Sequence, residues 1–279
     1  VVTQLAKFDA VTFADIILKL SAPQSAPAPL EPILALDPHD AHRLAAQCAD
    51  HAGAWILGPA RGPTLFSDTQ WRAAVALWLG MDAPAGHSCC PHHLDHPLGL
   101  ARLGCKKANS ARVQRHEALA VQLVQCAGQA GIKTLREVGI SQVSKERPGD
   151  VMFFLPDGSH FTDVTVTSPS NLPALPTDPT APAAAAFDRK LAKYDPLLSR
   201  GGVHADKFTP LAVSAYGVWD GRSAKFLTRL AFCIAGRTGA NPSTKLSELY
   251  LRLSAALWKG NAAMMLWDTP LTRWDNVAA

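Results

Sequence analysis

Asp150 and Asp163 bracket two apolar runs, Val151 to Leu155 and Phe161 onward, that are joined by Pro156-Asp157-Gly158-Ser159-His160. Asp-Gly between two such runs signals a β-hairpin. With Asp157 and Gly158 as the loop residues, Pro156 pairs with Ser159 and Asp150 lies opposite Thr165. Side chains alternate along a strand, so Asp150, Asp163 and Thr165 share one face while Val164 and Val166 turn to the other. The two acids become diagonal neighbours, roughly 7 to 8 Å apart at the backbone, and both can reach one ion. A carboxylate site of this kind suits Mg or Mn rather than Zn. Such an ion polarises a phosphodiester and acidifies the attacking water. The competing reading is two solvated acids at strand ends.

A second constellation precedes the hairpin. His87, Cys89, Cys90, His92, His93, His96 and Cys105 crowd soft and imidazole ligands into nineteen residues. Zinc is the natural occupant of mixed Cys/His sites, and with four protein ligands it would be structural. Cys90, His93 and Cys105 can be completed by His96 or by His87, and the spacing does not choose between them. Arg102, Lys106, Lys107, Arg112 and Arg115, followed by His116, form a basic stretch that suits contact with phosphates. A solvated helix face explains the same residues.

Several elements must position these groups. Thr3 to Leu20 carries apolar residues near a 3.6-residue period and predicts an amphipathic helix, which the proline-rich segment Ser21 to Pro32 ends. A helix is expected from His39 to Ala52, and another from a Ser67 cap to Leu79, stopped by Gly80. Ser110 to Gln129 predicts a long helix ended by Gly131. Strands follow at Lys133 to Val138, Val151 to Leu155 and Phe161 to Thr167. Next come a helix from Ala183 to Tyr194 closed by Pro196, a strand at Leu211 to Tyr216, and helices at Arg222 to Ala235 and Ser243 to Trp258. The tryptophans of the N-terminal third read as core.

The 279 residues, 48% of them hydrophobic, allow one good core or two smaller ones. No apolar stretch reaches the length of a membrane span, so no membrane partner is expected. The six cysteines are scattered through a chain too large to need disulfide staples, which points to free thiols or metal ligands in a reducing compartment. A net charge of +4 is compatible with nucleic acid without requiring it.

Arg147-Pro148-Gly149-Asp150, then Asp163-Val164-Thr165-Val166-Thr167, then Lys190-Leu191-Ala192-Lys193-Tyr194, preceded by Arg115-His116 and the Cys/His cluster, resemble a known order of motifs. They are similar to the restriction-like endonuclease domain of site-specific non-LTR retrotransposons, part of the PD-(D/E)XK superfamily. The resemblance extends outward through Ala54-Trp55-Ile56-Leu57 and Leu77-Trp78-Leu79-Gly80 to Arg252 through Asn261. It implies that Asp150 and Asp163 hold a catalytic Mg or Mn, that Lys190 or Lys193 orients water or steadies charge, and that Glu117 is the helix carboxylate. Two positions depart from the family: Gly149 stands between the proline and the acid, and Thr165 stands where the superfamily often has lysine. Ala101 occupies the place of a knuckle histidine.

The fold class expected is α+β, a small mixed sheet with flanking helices and a restriction-endonuclease-like core. The expected domains are a helical arm and linker at 1–85, a knuckle at 86–109, the nuclease core at 110–220 and a helical extension at 221–279. The resemblance implies an endonuclease that nicks target DNA for target-primed reverse transcription. It further implies RNA of the parent element as a second partner, and a nuclear location in a eukaryotic host or otherwise an intracellular one. A catalytically inactive nucleic-acid-binding module from a degenerate or domesticated element is the alternative. A helical interaction protein whose acids play no part is a third reading.

Overall fold

A computed structural model describes residues 38–58, 62–80, 103–104, 108–138, 149–169, 178–201 and 204–267. The expected helix at Thr3 to Leu20, its linker, and the candidate zinc ligands (His87, Cys90, His93, His96 and Cys105) lie outside the described residues, as do Arg102, Lys106 and Lys107.

Six helices and four strands are described: α1 Pro38–Gln47, α2 Asp68–Leu79, α3 Asn109–Gln129, β1 Thr134–Val138, β2 Gly149–Leu155, β3 Gly158–Thr167, α4 Ala181–Arg200, β4 Phe208–Ser214, α5 Gly221–Thr238 and α6 Pro242–Leu266. This is an α+β arrangement around one mixed sheet of order β1-β2-β3-β4. The first three strands form an antiparallel meander, and β4 runs parallel to β3. A parallel pair needs a long crossover, and α4 supplies it.

The two faces of the sheet are covered differently. Val151, Phe153, Leu155, Val164, Leu211 and Val213 pack with α3, α5 and α6. Met152, Phe161 and Phe208 turn the other way, against Tyr194 and Leu198 of α4. The alternation along β2 and β3 therefore divides the apolar residues between two cores. Val164 and Asp163 accordingly face opposite sides, as the sequence pattern requires.

Local chemistry sets the ends of several elements. Ser67 accepts the Gln70 N–H at 3.2 Å while Gln70 returns the bond to the Ser67 N–H, a complete capping box. Gly80 ends α2 in the left-handed region at φ 69°. Asp220 caps α5 through the N–H groups of Arg222 and Ser223. The Ser223 hydroxyl then donates to Pro210 O and accepts from Ala212 N, so it satisfies backbone groups at the free edge of β4. Pro210 is tolerated there because an edge strand needs no N–H on its outer side.

Two expectations are corrected. The hairpin register pairs Leu155 with Gly158 and Val151 with Thr162, so the loop residues are Pro156 and Asp157. Proline has its φ fixed near −65° and carries no N–H, which suits the first position of a tight turn and not a ladder position beside one. The φ of +113° then falls on Gly158, which has no Cβ to oppose it. Pro196 does not end α4, which continues to Arg200. A proline inside a helix forfeits one backbone bond at a cost of about 3 kcal/mol. Fully buried Leu198, one turn beyond the break in the ladder, packs into the α4 core and offsets that loss.

α6 runs through the whole assembly. Its N-terminal half packs Leu249, Tyr250, Leu253 and Leu257 against the sheet-side core. Farther along, Trp258 stacks on Trp55 at 5.0 Å between ring centres, and Phe66, Trp71 and Trp78 close around the pair. Ser254 accepts the Trp55 N–H at 3.2 Å and donates to Ala52 O at 3.4 Å. The N-terminal tryptophans are therefore core, as expected, and the segment carrying them is joined to the C-terminal helix. Trp258→Ala should cost about 3 to 5 kcal/mol, the usual range for deleting a buried aromatic side chain, measured by denaturant unfolding of the full chain.

Candidate functional site

Asp150 is the second residue of β2, and Asp163 lies six residues into β3. The β2–β3 ladder ends at the Val151–Thr162 pair, one residue short of both acids, and its register is two residues away from the one that set Asp150 opposite Thr165. Regular pairing is not kept beyond it, since a Cβ on Gly149 would meet Phe161 and Thr162 O. Thr162 uses its hydroxyl on Val151 O at 3.0 Å, and the Val164 N–H donates to Asp150 Oδ2 at 2.6 Å.

Two helices supply partners from opposite sides of the sheet. From α3, His116 Nε2 lies 2.9 Å from Asp150 Oδ2. A carboxylate can only accept, so the ring proton belongs on Nε2. Both contacts of Asp150 fall on one oxygen, and Oδ1 takes part in neither. From α4, Lys190 Nζ lies 2.8 Å from Asp163 Oδ2, whose side chain is only 5% exposed. The ammonium at this distance is the charge that compensates the buried oxygen.

The electrostatics follow from two carboxylates held close together with little water. Burial pushes Asp163 up to about 6, and the Asp150 charge adds to the rise against the pull of Lys190 and His116. His116 is raised chiefly by its hydrogen bond to Asp150, with burial opposing. Lys190 would be lowered by burial, but the Asp163 charge reverses this and holds its ammonium above the usual lysine value.

A cleft of about 350 Å³ opens over the cluster, lined by Arg112, Val113, Arg115, His116, Val164, Thr165, Val166 and Lys190. His116 and Lys190 thus stand between the cleft and the acids. Arg112, exposed, accompanies them at the rim.

Not every expected residue joins the cluster. Glu117 is 47% exposed and pairs with Arg136 of β1 at 2.6 Å, and that bond holds its carboxylate below the ordinary range. Lys193 lies over the Tyr194 ring, 4.7 Å from its centre, so Lys190 is the lysine of the pair that reaches an acid. Arg115 is corrected as a phosphate contact, because its side chain is 2% exposed and its guanidinium is bonded to Asn261 Oδ1 and Leu103 O. Both terminal nitrogens of this buried guanidinium are thus engaged within the fold.

Sequence reasoning missed Gly260 and Asn261, which hold Arg115. A glycine and an asparagine side by side in an otherwise apolar helix are poor helix formers, and that was the available signal.

The donor set fits a hard cation in an open site. Among the described residues no three His, Cys, Asp or Glu side chains gather closely enough to enclose a metal ion. Mg does not require such a cage, since it is commonly held by one or two carboxylates plus water and substrate phosphate. The carboxylates of Asp150, whose Oδ1 is used by neither of its contacts, and Asp163 are groups of that class.

Comparison of the chain with protein-family models gives no match, and comparison with curated proteins gives no significant match. No helix among the described residues is long and apolar enough to cross a membrane.

Asp150→Asn should lower the His116 pKa, because removing the charge and the strong acceptor leaves burial as the dominant influence. Lys190→Met should move Asp163 above its value of about 6 by deleting the nearest cation. NMR titration of the imidazole and carboxyl resonances checks both directions.

Proposed function

We propose that this chain is a metal-dependent DNA endonuclease of the restriction-like type, which nicks target DNA so that a retroelement can prime reverse transcription. The observation that carries the reading is the convergence of Asp150, Asp163 and Lys190, contributed by β2, β3 and α4, with His116 of α3 completing the group. All four positions come from the motifs on which the family resemblance rests. The order α3-β1-β2-β3-α4-β4 around a four-stranded mixed sheet supports a restriction-endonuclease-like core.

Asp150 and Asp163 would hold a divalent cation, Mg or Mn, which when bound would polarise the scissile phosphate and acidify water. Lys190 then has two functions: it keeps Asp163 from carrying an uncompensated buried charge, and its ammonium faces the cleft where negative charge grows on the phosphoryl oxygens. His116 holds Asp150 by the oxygen that also takes the Val164 N–H, fixing the rotation of the carboxylate. Arg112 at the rim supplies a positive charge for a neighbouring phosphate. In the hydrolysis, water adds to phosphorus, the P–O3′ bond breaks, and O3′ leaves with a proton. The products are a 3′-hydroxyl and a 5′-phosphate, and the 3′-hydroxyl is the group a polymerase extends. In a eukaryotic host this substrate implies action in the nucleus, with RNA of the parent element as a second partner.

The Lys190–Asp163 pair also favours a second reading, because a lysine seated on a carboxylate neutralises it in place of a cation. Such a protein would be a nucleic-acid-binding module without cleavage. Supercoiled plasmid incubated with Mg or Mn separates the two. The nuclease reading expects open-circular product, reduced about 100-fold or more by Asp150→Ala or Asp163→Ala with DNA binding retained. Salt-dependent binding by the wild type with no nicking would establish the second reading. Nicking should rise with pH through about 6, because Asp163 must lose its proton to ligate a cation.

A further inference from the structure

Behind the cleft, α3 crosses α6 at Gly260 and Asn261, and the approach is very close. A Cβ on Gly260 would lie 2.4 and 2.5 Å from Cγ and Cβ of Arg115 and 2.9 Å from its Cα. Only glycine allows the two helices to meet there.

Beside this contact Arg115 Nη1 donates to Asn261 Oδ1 at 2.8 Å, and Nη2 donates to Leu103 O at 3.3 Å. Asn261, fully buried, passes the connection on by donating from Nδ2 to Ala215 O at 2.7 Å. The Ala215 N–H in turn donates to the carbonyl of Thr167, the last residue of β3. One asparagine therefore references both α3, one residue before His116, and the end of the strand that carries Asp163.

This arrangement is expensive. Arg115 is buried against neutral acceptors, its Nε has no hydrogen-bond partner, and burial, with Arg112 nearby, draws its pKa down to about 10. A well-packed apolar side chain would commonly serve stability at least as well as a buried charge. What the guanidinium provides instead is direction, since its planar fork accepts one mutual setting of α3, α6 and the Leu103 carbonyl.

We propose that the Arg115–Asn261 couple, seated on Gly260, is the positioning device that sets His116 against Asp150, so that the C-terminal helix α6 belongs to the catalytic unit. The proposal rests on the nuclease reading of the cluster. Arg115 and Asn261 are positioning residues and need not touch substrate.

The test uses the full chain and four variants: Gly260→Ala, Asn261→Ala, Arg115→Met and, as a control, Ser254→Ala. Ser254→Ala removes the links from α6 to Trp55 and Ala52 without touching Arg115. Three quantities are read: thermal stability, kcat and KM for plasmid nicking, and the ¹⁵N shift of His116 Nε2, which reports the bond to Asp150 whether or not DNA is cut. Gly260→Ala and Asn261→Ala should lower kcat by about 100-fold, the scale of an ångström's misplacement of a reacting group, with KM changed less than about twofold. Their His116 signal should move toward that of Asp150→Asn. Arg115→Met, which fills the space without a buried charge, should fold and still lose kcat, and it keeps the test decisive should the other two unfold. Ser254→Ala should lose stability while leaving kcat and the His116 signal unchanged. An unchanged His116 shift in the folded Arg115 or Asn261 variants, or an equal loss of kcat in Ser254→Ala, overturns the proposal. A wild type that does not nick overturns the nuclease reading, while the His116 shift still decides the couple.

Discussion

Two carboxylates on neighbouring strands, one of them buried, repel each other, and much of the surrounding structure can be understood as a response. The low dielectric that makes their repulsion large also makes each compensating contact strong. Compensation comes from three directions: a backbone N–H on the neighbouring strand, an imidazole from one face of the sheet and an ammonium from the other. It is incomplete, because burial still holds Asp163 well above an ordinary aspartate. A fold selected for stability alone would place apolar or singly charged groups there. A buried carboxylate raised in this way beside a cleft is an arrangement in which functional sites are enriched.

The supporting architecture has two layers of constraint. The hairpin fixes the acids, and its tip is held where Asp157 meets Arg229 of α5 and Lys207. The helices fix the partners of those acids, and their placement depends on packing far from the site. α4 stays helical past Pro196 with Leu198 buried beneath it, in the same apolar cluster as Tyr194, and this seats the helix that carries Lys190 on the sheet. α3 is set by its crossing with α6, where the absence of a side chain at Gly260 permits the contact.

Much of this was legible in the sequence wherever a local rule has little competition. The Ser67 box and Gly80 mark α2, and period-two alternation along β3 places Asp163 on the side away from Val164. The hairpin register was misjudged because Asp-Gly is a strong turn signal by itself, but Pro156 beside it has a fixed φ and takes the first loop position. Pro196 shows the converse, a local breaker overridden by burial three-dimensionally remote from it. Arg115 looked like a surface cation because neighbouring residues are basic. Only the fold reveals that a partner 146 positions away takes its donors. The choice of Lys190 over Lys193 likewise depends on the rotation of α4 against β3, which spacing on one helical face leaves open.

The joining of α6 to both ends of the molecule also orders events during synthesis. Trp55 waits for Ser254, 199 residues later, and Arg115 waits for Asn261, so contacts that settle the centre close loops spanning most of the chain. Such long-range closure slows folding relative to helices stabilised by near neighbours. A nascent chain that has already made the acids, the lysine and the histidine still lacks the strut that orients them. The bond between Arg115 and Asn261 therefore closes only after α6 has left the ribosome and docked, and a chain shortened before α6 would carry Asp150, Asp163, Lys190 and His116 without that contact.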